Sequence, residues 1–336
     1  MNSYSSPIRV AVAGATGYAG QELVSLLARH PHVKLEAAMS SSKDSAARPL
    51  PRLARVWDGA VEPLNMERLS GGAVDLVFLA VPENAAAELA PPLVDAGVRV
   101  IDLSGAFRIR DDAARARWYP ATKALPSGAA YGLTEHYRSD VRHATLVANP
   151  GCYPTGALLA ILPLVKAGLL DLSAGVIIDA KSGISGAGRA PSDRTHFSEN
   201  HGSVAAYGVL GHRHVAEMEQ EIGGMVTFVP HLVPLDRGIL ETIYLRVAHG
   251  TTAEQVADVF TAAYGQEPFI RLTGDALPEI KHVAWTNFCD IGWRMDAASR
   301  RLVIVTCIDN LVKGAAGSAL QNFNVAYGVD ERAGLR

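Results

Sequence analysis

The chain has 336 residues, enough for two domains, and 49% of them are apolar, which allows a sizeable core and excludes a disordered chain. Lys and Arg number 31 against 34 Asp and Glu, a net charge of −3, so no basic excess is available to neutralise a nucleic-acid backbone. Charged residues are only 19% of the total, a scarcity that implies surface hidden between copies in a homo-oligomer, a dimer or tetramer.

No stretch of eighteen apolar residues is present to span a membrane, and the opening MNSYSSPIRV has no apolar core of a signal peptide. Strands are expected at Ile8–Ala13, Val33–Met39, 74–81, 98–103 and Leu146–Ala148, all rich in Val, Leu, Ile and Ala. Helical spacing of apolar residues marks 18–29 and 84–96 between them. Strands alternating with helices build a parallel sheet covered on both faces. Beyond Gly151 the pattern changes. A helix is expected over 154–167, with Pro154 at its first position, then a strand at 176–180 and an irregular stretch to Glu221. Residues 239–247 alternate as a half-buried antiparallel strand, 302–308 form another, and a helix runs over 311–326. The expected fold is α/β: a Rossmann-type parallel-sheet domain over 1–151, then an α+β catalytic and oligomerisation domain over 152–310 with a mixed, largely antiparallel sheet. The last segment, 311–336, is expected to return to the first domain.

The first strand runs into Gly14-x-x-Gly17-x-x-Gly20 and then a helix. Glycines there let the backbone turn sharply and approach a pyrophosphate, whose charge suits a helix N-terminus. Tight βα turns use glycine for purely structural reasons too, but the place of this one, opening a run of βαβ units, favours a dinucleotide. An NAD site would place an acid at the end of the second strand. Here Ser40, Ser41, Ser42 and Lys43 stand there instead, hydroxyls and an ammonium that suit a 2′-phosphate, so the expected cofactor is NADP(H).

Three cysteines are too few and too scattered for a disulfide framework or a zinc site, so no metal is expected and a reducing cytoplasm fits. Cys152 differs from Cys289 and Cys307, which read as core. It follows an Asn-Pro-Gly turn and lies just before a helix, where unpaired N–H groups and the helix dipole favour a thiolate. Such a thiolate can attack an acyl carbon, and the thioester can then accept hydride from a nicotinamide. The pair His212 and His214, ahead of Glu217 and Glu219, supplies the candidate acid/base; the residues alone do not rank the two.

Together these segments resemble the N-acetyl-γ-glutamyl-phosphate reductase family, relatives of the aspartate-semialdehyde dehydrogenases. GATGYAG at 14–20, DLSGAFR at 102–108, NPGCYPT at 149–155, SGISGAGR at 182–189, GHRHVAE at 211–217, PHLVPLDRG at 230–238 and DNLVKGAAGSALQN at 309–322 carry the resemblance in order. It implies that Gly14, Thr16, Gly17, Tyr18 and Gly20 belong to the cofactor loop, that Cys152 is the nucleophile and that His214 is the acid/base. It further implies that Arg108, His212 and Arg237 meet the substrate, and that Ser185, Gly186 and Asn310 lie toward the nicotinamide. The implied activity is NADPH-dependent reduction of N-acetyl-γ-glutamyl phosphate, a small-molecule substrate of arginine biosynthesis. Aspartate-semialdehyde dehydrogenase, the lysine-pathway acetylaminoadipyl-phosphate reductase and a non-catalytic NADP-binding sensor are the alternatives. One methylene separates some of these substrates, worth only about 1–3 kcal/mol in a pocket. Gly105 and Ala106 depart from the bulkier or acidic residues the family leads one to expect before Phe107.

Overall fold

The computed structural model describes residues 6–41 and 46–335. Its contacts divide into two compact units, one made of the chain up to Gly151 together with Ala315 onward, the other of Cys152–Gly314.

The first unit is built on an eight-stranded sheet. Its strands are β1 (Ile8–Ala13), β2 (Val33–Met39), β3 (Arg48–Pro49), β4 (Ala60–Glu62), β5 (Leu76–Leu79), β6 (Arg99–Asp102), β7 (Ala129–Tyr131) and β8 (Leu146–Ala148). Their order is β3-β4-β2-β1-β5-β6-β8-β7, and every neighbouring pair is parallel except β3 with β4. The helices are α1 (Tyr18–Leu27), α2 (Met66–Ser70), α3 (Glu83–Asp95), α4 (Asp112–Trp118) and α5 (Thr134–His143). Successive residues of β1 point to opposite faces of the sheet. Val10 and Val12 pack with Leu23 and Leu27 of α1, while Ala11 and Ala13 pack with Leu89 and Leu93 of α3. This double burial explains why the strands read as unbroken apolar runs. The direction of strand order reverses at β1, which has β2 on one side and β5 on the other, and that is where a doubly wound sheet opens a crevice for a ligand.

The second unit carries β9 (Val176–Gly183), β10 (Ala205–Ala206), β11 (Val226–Val233), β12 (Ile239–Arg246), β13 (Ile270–Leu272), β14 (Cys289–Asp296) and β15 (Arg301–Ile308). They form one sheet in the order β10-β11-β9-β12-β15-β14-β13, parallel between β9 and β11 and between β13 and β14, antiparallel elsewhere. Four helices accompany them: α6 (Cys152–Lys166), α7 (Phe197–Asn200), α8 (His214–Ile222) and α9 (Ala253–Tyr264). The helix α6 packs on α8, α9, β12 and β15 and is buried almost throughout. One parity of β11 and β12 is buried and the other is partly open, so the sheet has one covered and one uncovered face.

The chain then makes a π-helical turn over Val312–Ala316 and enters α10 (Gly317–Ala326), which packs with α1 and α5 in the first unit. Two expectations are adjusted. The helix expected from Pro154 begins two residues earlier, at Cys152, because a proline is tolerated anywhere in a first turn whose N–H groups have no partner. The segment 311–326 is not one regular helix, since its first turn is π rather than α.

Candidate active site

Cys152 is the first residue of α6 and is only partly buried. In that first turn the N–H groups of Cys152, Tyr153 and Thr155 have no intrahelical acceptor, and Pro154 has no N–H to contribute. The backbone of the π turn stands directly against Cys152. A Cβ at Gly314 would lie 2.9 Å from the Cys152 Cβ and 3.3 Å from its Cα, so no side chain fits there. By contrast Cys289 and Cys307 are fully buried, and burial drives the Cys307 thiol upward, reinforced by Asp290.

His214 opens α8, which packs on α6, and the Tyr153 ring touches both histidines edge-on at 5.8 Å from His212 and 5.9 Å from His214. The two imidazoles lie 4.7 Å apart, and Phe228 and Tyr207 close the cluster around His212. His212 Nδ1 accepts a hydrogen bond from the His214 backbone N–H, the first of α8, at 3.2 Å, which leaves the proton of the neutral ring on Nε2. Burial lowers the His212 pKa to about 4, and Arg213 pushes the same way, so this ring is neutral near pH 7. Glu217, one turn along the same face as His214, is fully buried. The Tyr153 and Tyr207 hydroxyls share a hydrogen bond of 3.0 Å. Burial pushes the Tyr207 phenol up to about 12 and the Tyr153 phenol further still, so both are neutral hydroxyls.

Three loops of the same unit interlock nearby. The N–H groups of Gly183, Ile184 and Ser185 donate to the carbonyls of Gly238, Leu235 and Asp236. Asn310 donates to Ser185 Oγ at 2.9 Å, and its Oδ1 accepts from the Gly238 N–H at 2.8 Å. A side chain on Gly186 would meet Ser182 Oγ at 2.9 Å. Arg237 is buried, forms an ion pair with Asp309 at 3.2 Å and lies 3.5 Å beneath the Trp285 ring.

In the first unit, Gly14 adopts φ +87°, and a Cβ there would strike the Ala80 carbonyl; one on Gly20 would strike the Gly14 carbonyl. Gly17 caps α1 through its backbone without a side-chain partner, so the N–H groups of the first turn, from Tyr18 on, face outward. Thr16 is tied by its carbonyl to Gln21 Nε2 at 3.0 Å, and Tyr18 is exposed. The cradle fits a pyrophosphate. Ser40 is buried at the end of β2, its N–H donating to the Glu62 carbonyl, whereas Ser42 and Lys43 lie outside the described residues. Arg108 belongs to this unit. It is buried, with Nε donating to the Asn149 carbonyl at 2.7 Å and Nη2 to that of Leu103 at 2.9 Å. Asn149 is held further by Asn322 Nδ2 at 3.0 Å, so the turn that leads into Cys152 is anchored from β6, β8 and α10.

The structure thus gathers Cys152, His212, His214, Ser185, Gly186, Asn310 and Arg237 in one unit, and Arg108 with the glycine loop in the other. Asp102 was not singled out by the sequence reading. It is fully buried at the end of β6, accepts from Ser104 Oγ at 2.8 Å, and burial pushes its carboxyl up to about 6 against the Ser104 hydrogen bonds. Asp309 and Trp285 were missed as well; Asp309 stands beside Asn310 in a motif already noted, while nothing local marks Trp285. Gly105, the departure from the family pattern, has a steric reason, because a Cβ there would strike the Tyr119 ring. Among the described residues, no three His, Cys, Asp or Glu side chains converge as metal ligands, and no helix is long and apolar enough to cross a membrane.

Comparison with known proteins bears on both units. Residues 9–144 match the family model for the semialdehyde dehydrogenase NAD binding domain, and residues 152–310 that for the semialdehyde dehydrogenase dimerisation domain. The chain is 45% identical to N-acetyl-gamma-glutamyl-phosphate reductase of Desulforapulum autotrophicum and 46% identical to that of Geobacillus stearothermophilus, covering 98% of either partner in both cases. Its fold is similar to aspartate semialdehyde dehydrogenase II of Vibrio cholerae, with a TM-score of 0.71 at 20% identity over 96% of this chain and 98% of that one. It is also similar to aspartate semialdehyde dehydrogenase with NADP from Candida albicans, with a TM-score of 0.67 at 17% identity over 97% and 100%.

Proposed function

The chain belongs to the N-acetyl-γ-glutamyl-phosphate reductase family of semialdehyde dehydrogenases, and on that premise we propose that it reduces N-acetyl-γ-glutamyl phosphate with NADPH, giving N-acetylglutamate semialdehyde and phosphate in arginine biosynthesis. The observation that carries the reading is a partly exposed cysteine opening a helix, with a histidine opening the helix packed against it.

The Cys152 thiolate attacks the γ-carbonyl carbon, forming a C–S bond, and the tetrahedral oxyanion is met by N–H groups in the first turn of α6. The C–O bond to phosphate then breaks and leaves a thioester on Cys152. When bound on Gly14, Gly17 and Gly20, the nicotinamide cofactor supplies the hydride that brings this carbon to the aldehyde oxidation level. His214 gives a proton to the thiohemiacetal oxygen and takes it back as the C–S bond breaks, releasing the aldehyde and the thiolate. An acyl phosphate is already activated, so no metal is required to polarise it.

Ser40, Ser42 and Lys43 in place of an acid favour NADPH over NADH; equal kcat/KM with both would overturn that preference. The site of action proposed is the cytoplasm. The uncovered face of the second sheet, where Ile177 is 46% and Tyr244 43% exposed, is the proposed dimer interface, in keeping with the dimerisation domain matched there. The reaction is tested in reverse by NADP- and phosphate-dependent oxidation of N-acetylglutamate semialdehyde against aspartate semialdehyde. Faster turnover of the aspartate compound would reject the substrate assignment.

A further inference from the structure

Arg237 is an unusual arginine for a substrate clamp. Its guanidinium is almost wholly inaccessible, its charge is cancelled by Asp309 at 3.2 Å, and one of its faces is covered by the Trp285 indole at 3.5 Å. The partner carboxylate is committed on both oxygens. Asp309 Oδ2 accepts from the Trp285 N–H at 2.6 Å, and Oδ1 accepts from the N–H groups of Leu311 and Val312 at 2.8 and 3.0 Å. The Asp309 carbonyl accepts from the Gly314 N–H at 2.8 Å, a five-residue span that closes the π turn. Gly314 in turn is the residue whose bare Cα lies against Cys152. The other end of this chain of contacts is equally rigid, since a Cβ on Gly183 would come within 2.7–2.9 Å of the Arg237 backbone. Trp285 has φ +68°, a conformation that is costly for a bulky residue and persists only when its surroundings enforce it.

We propose that Arg237 is a positioning residue for the nucleophile: by pairing with Asp309 it fixes the π turn, and the π turn sets Gly314 as the backbone wall that holds Cys152 in its attacking place. The proposal rests on the role given above to Cys152. A five-residue turn is needed because an α turn would bring a different residue, with a side chain, to the position that Gly314 occupies. Removing the guanidinium would take its paired cation from the buried Asp309 carboxylate, and the turn would relax toward a regular helix. The effect would appear at the sulfur, not in substrate affinity.

The test is alkylation of Cys152 by iodoacetamide in the protein free of substrate and cofactor, followed across pH, alongside kcat and KM for N-acetylglutamate semialdehyde. Arg237→Met and Gly314→Ala should each slow alkylation at neutral pH about fivefold or more, with a displaced pH midpoint, and lower kcat about tenfold or more while KM stays within about threefold. Arg237→Lys, which keeps the charge, should recover part of both. Cys152→Ser identifies the reacting thiol. A tenfold rise in KM with an unchanged alkylation profile would overturn the proposal and make Arg237 a substrate ligand. If Arg237→Met does not fold, Gly314→Ala and Arg237→Lys still decide, because normal alkylation in Gly314→Ala also overturns it. Alkylation needs no turnover, so an error in the substrate assignment would leave this arm readable.

Discussion

At the scale of single residues, the roles divide by protonation. Cys152→Ser should abolish turnover while leaving NADPH binding intact, because a hydroxyl presents no accessible anion at neutral pH; turnover near the wild-type rate would remove Cys152 from the mechanism. His214→Asn should lower kcat by roughly 10²–10⁴-fold and flatten the near-neutral limb of the pH–rate profile. His212→Asn should keep that limb, since burial already holds His212 neutral there and its Nδ1 serves the His214 backbone. Steady-state kinetics across pH for the two variants separate these outcomes, and a limb lost only in His212→Asn would exchange the roles. Asp102 provides a different readout. Its folded pKa, about 6, is raised above that of the unfolded chain, so its stabilising contribution is complete below the unfolded value near 4 and is lost as pH rises through about 6. Wild-type protein should therefore lose on the order of 2 kcal/mol relative to Asp102→Asn between about pH 4 and pH 7. Parallel melting curves for the two proteins over that interval would contradict it.

Among the elements, the β1–α1 turn separates glycine used for folding from glycine used for binding. Gly14 has a positive φ and no room for a methyl group, so Gly14→Ala should destabilise the first unit and abolish NADPH binding together. Gly17 has φ −74°, and a Cβ there would lie 3.6 Å from its nearest neighbour, an ordinary contact. Gly17→Ala should thus melt within a few degrees of wild type yet bind NADPH more weakly, its methyl group standing at the mouth of the helix. Thermal melting with and without NADPH checks both, and an unchanged NADPH-induced shift in Gly17→Ala would place the phosphates elsewhere. Elements with a local signal were legible in the sequence: β1, β2 and β8 have the bounds their composition implies. The helix α9 was not read from the sequence, although its start carries a local signal, the capping box of Thr252 with Gln255. By contrast β11 contains Pro230 and β14 is buried at one end and exposed at the other, so neither shows a clean period.

For the whole molecule, the scarcity of charge and the uncovered sheet face support the proposed self-association. Replacing Tyr244 or Ile177 by Asp places a charge on that face without touching the covered one, so either variant should shift a dimer toward monomer while preserving the melting of the core. Light scattering reads the mass directly. An assembly unchanged by both substitutions would move the interface to another surface.

The sequence by itself determined what depends on neighbours along the chain: the parallel α/β class of the first unit, the glycine turn that admits a phosphate, and a cysteine at the mouth of a helix. Each is a contiguous pattern whose physics, a positive φ or an unpaired N–H, is complete within a few residues. Only the tertiary structure decided what depends on pairing across the chain. Arg237 looks like an anion ligand in isolation, and its burial against Asp309, 72 residues away, becomes visible once β12 and β15 are in register. His212 and His214 are equivalent as letters, and they part when the turn before α8 directs the His212 imidazole to the His214 backbone N–H. The π turn brings Gly314 against Cys152, more than 160 residues earlier, and no periodicity along the chain encodes that contact.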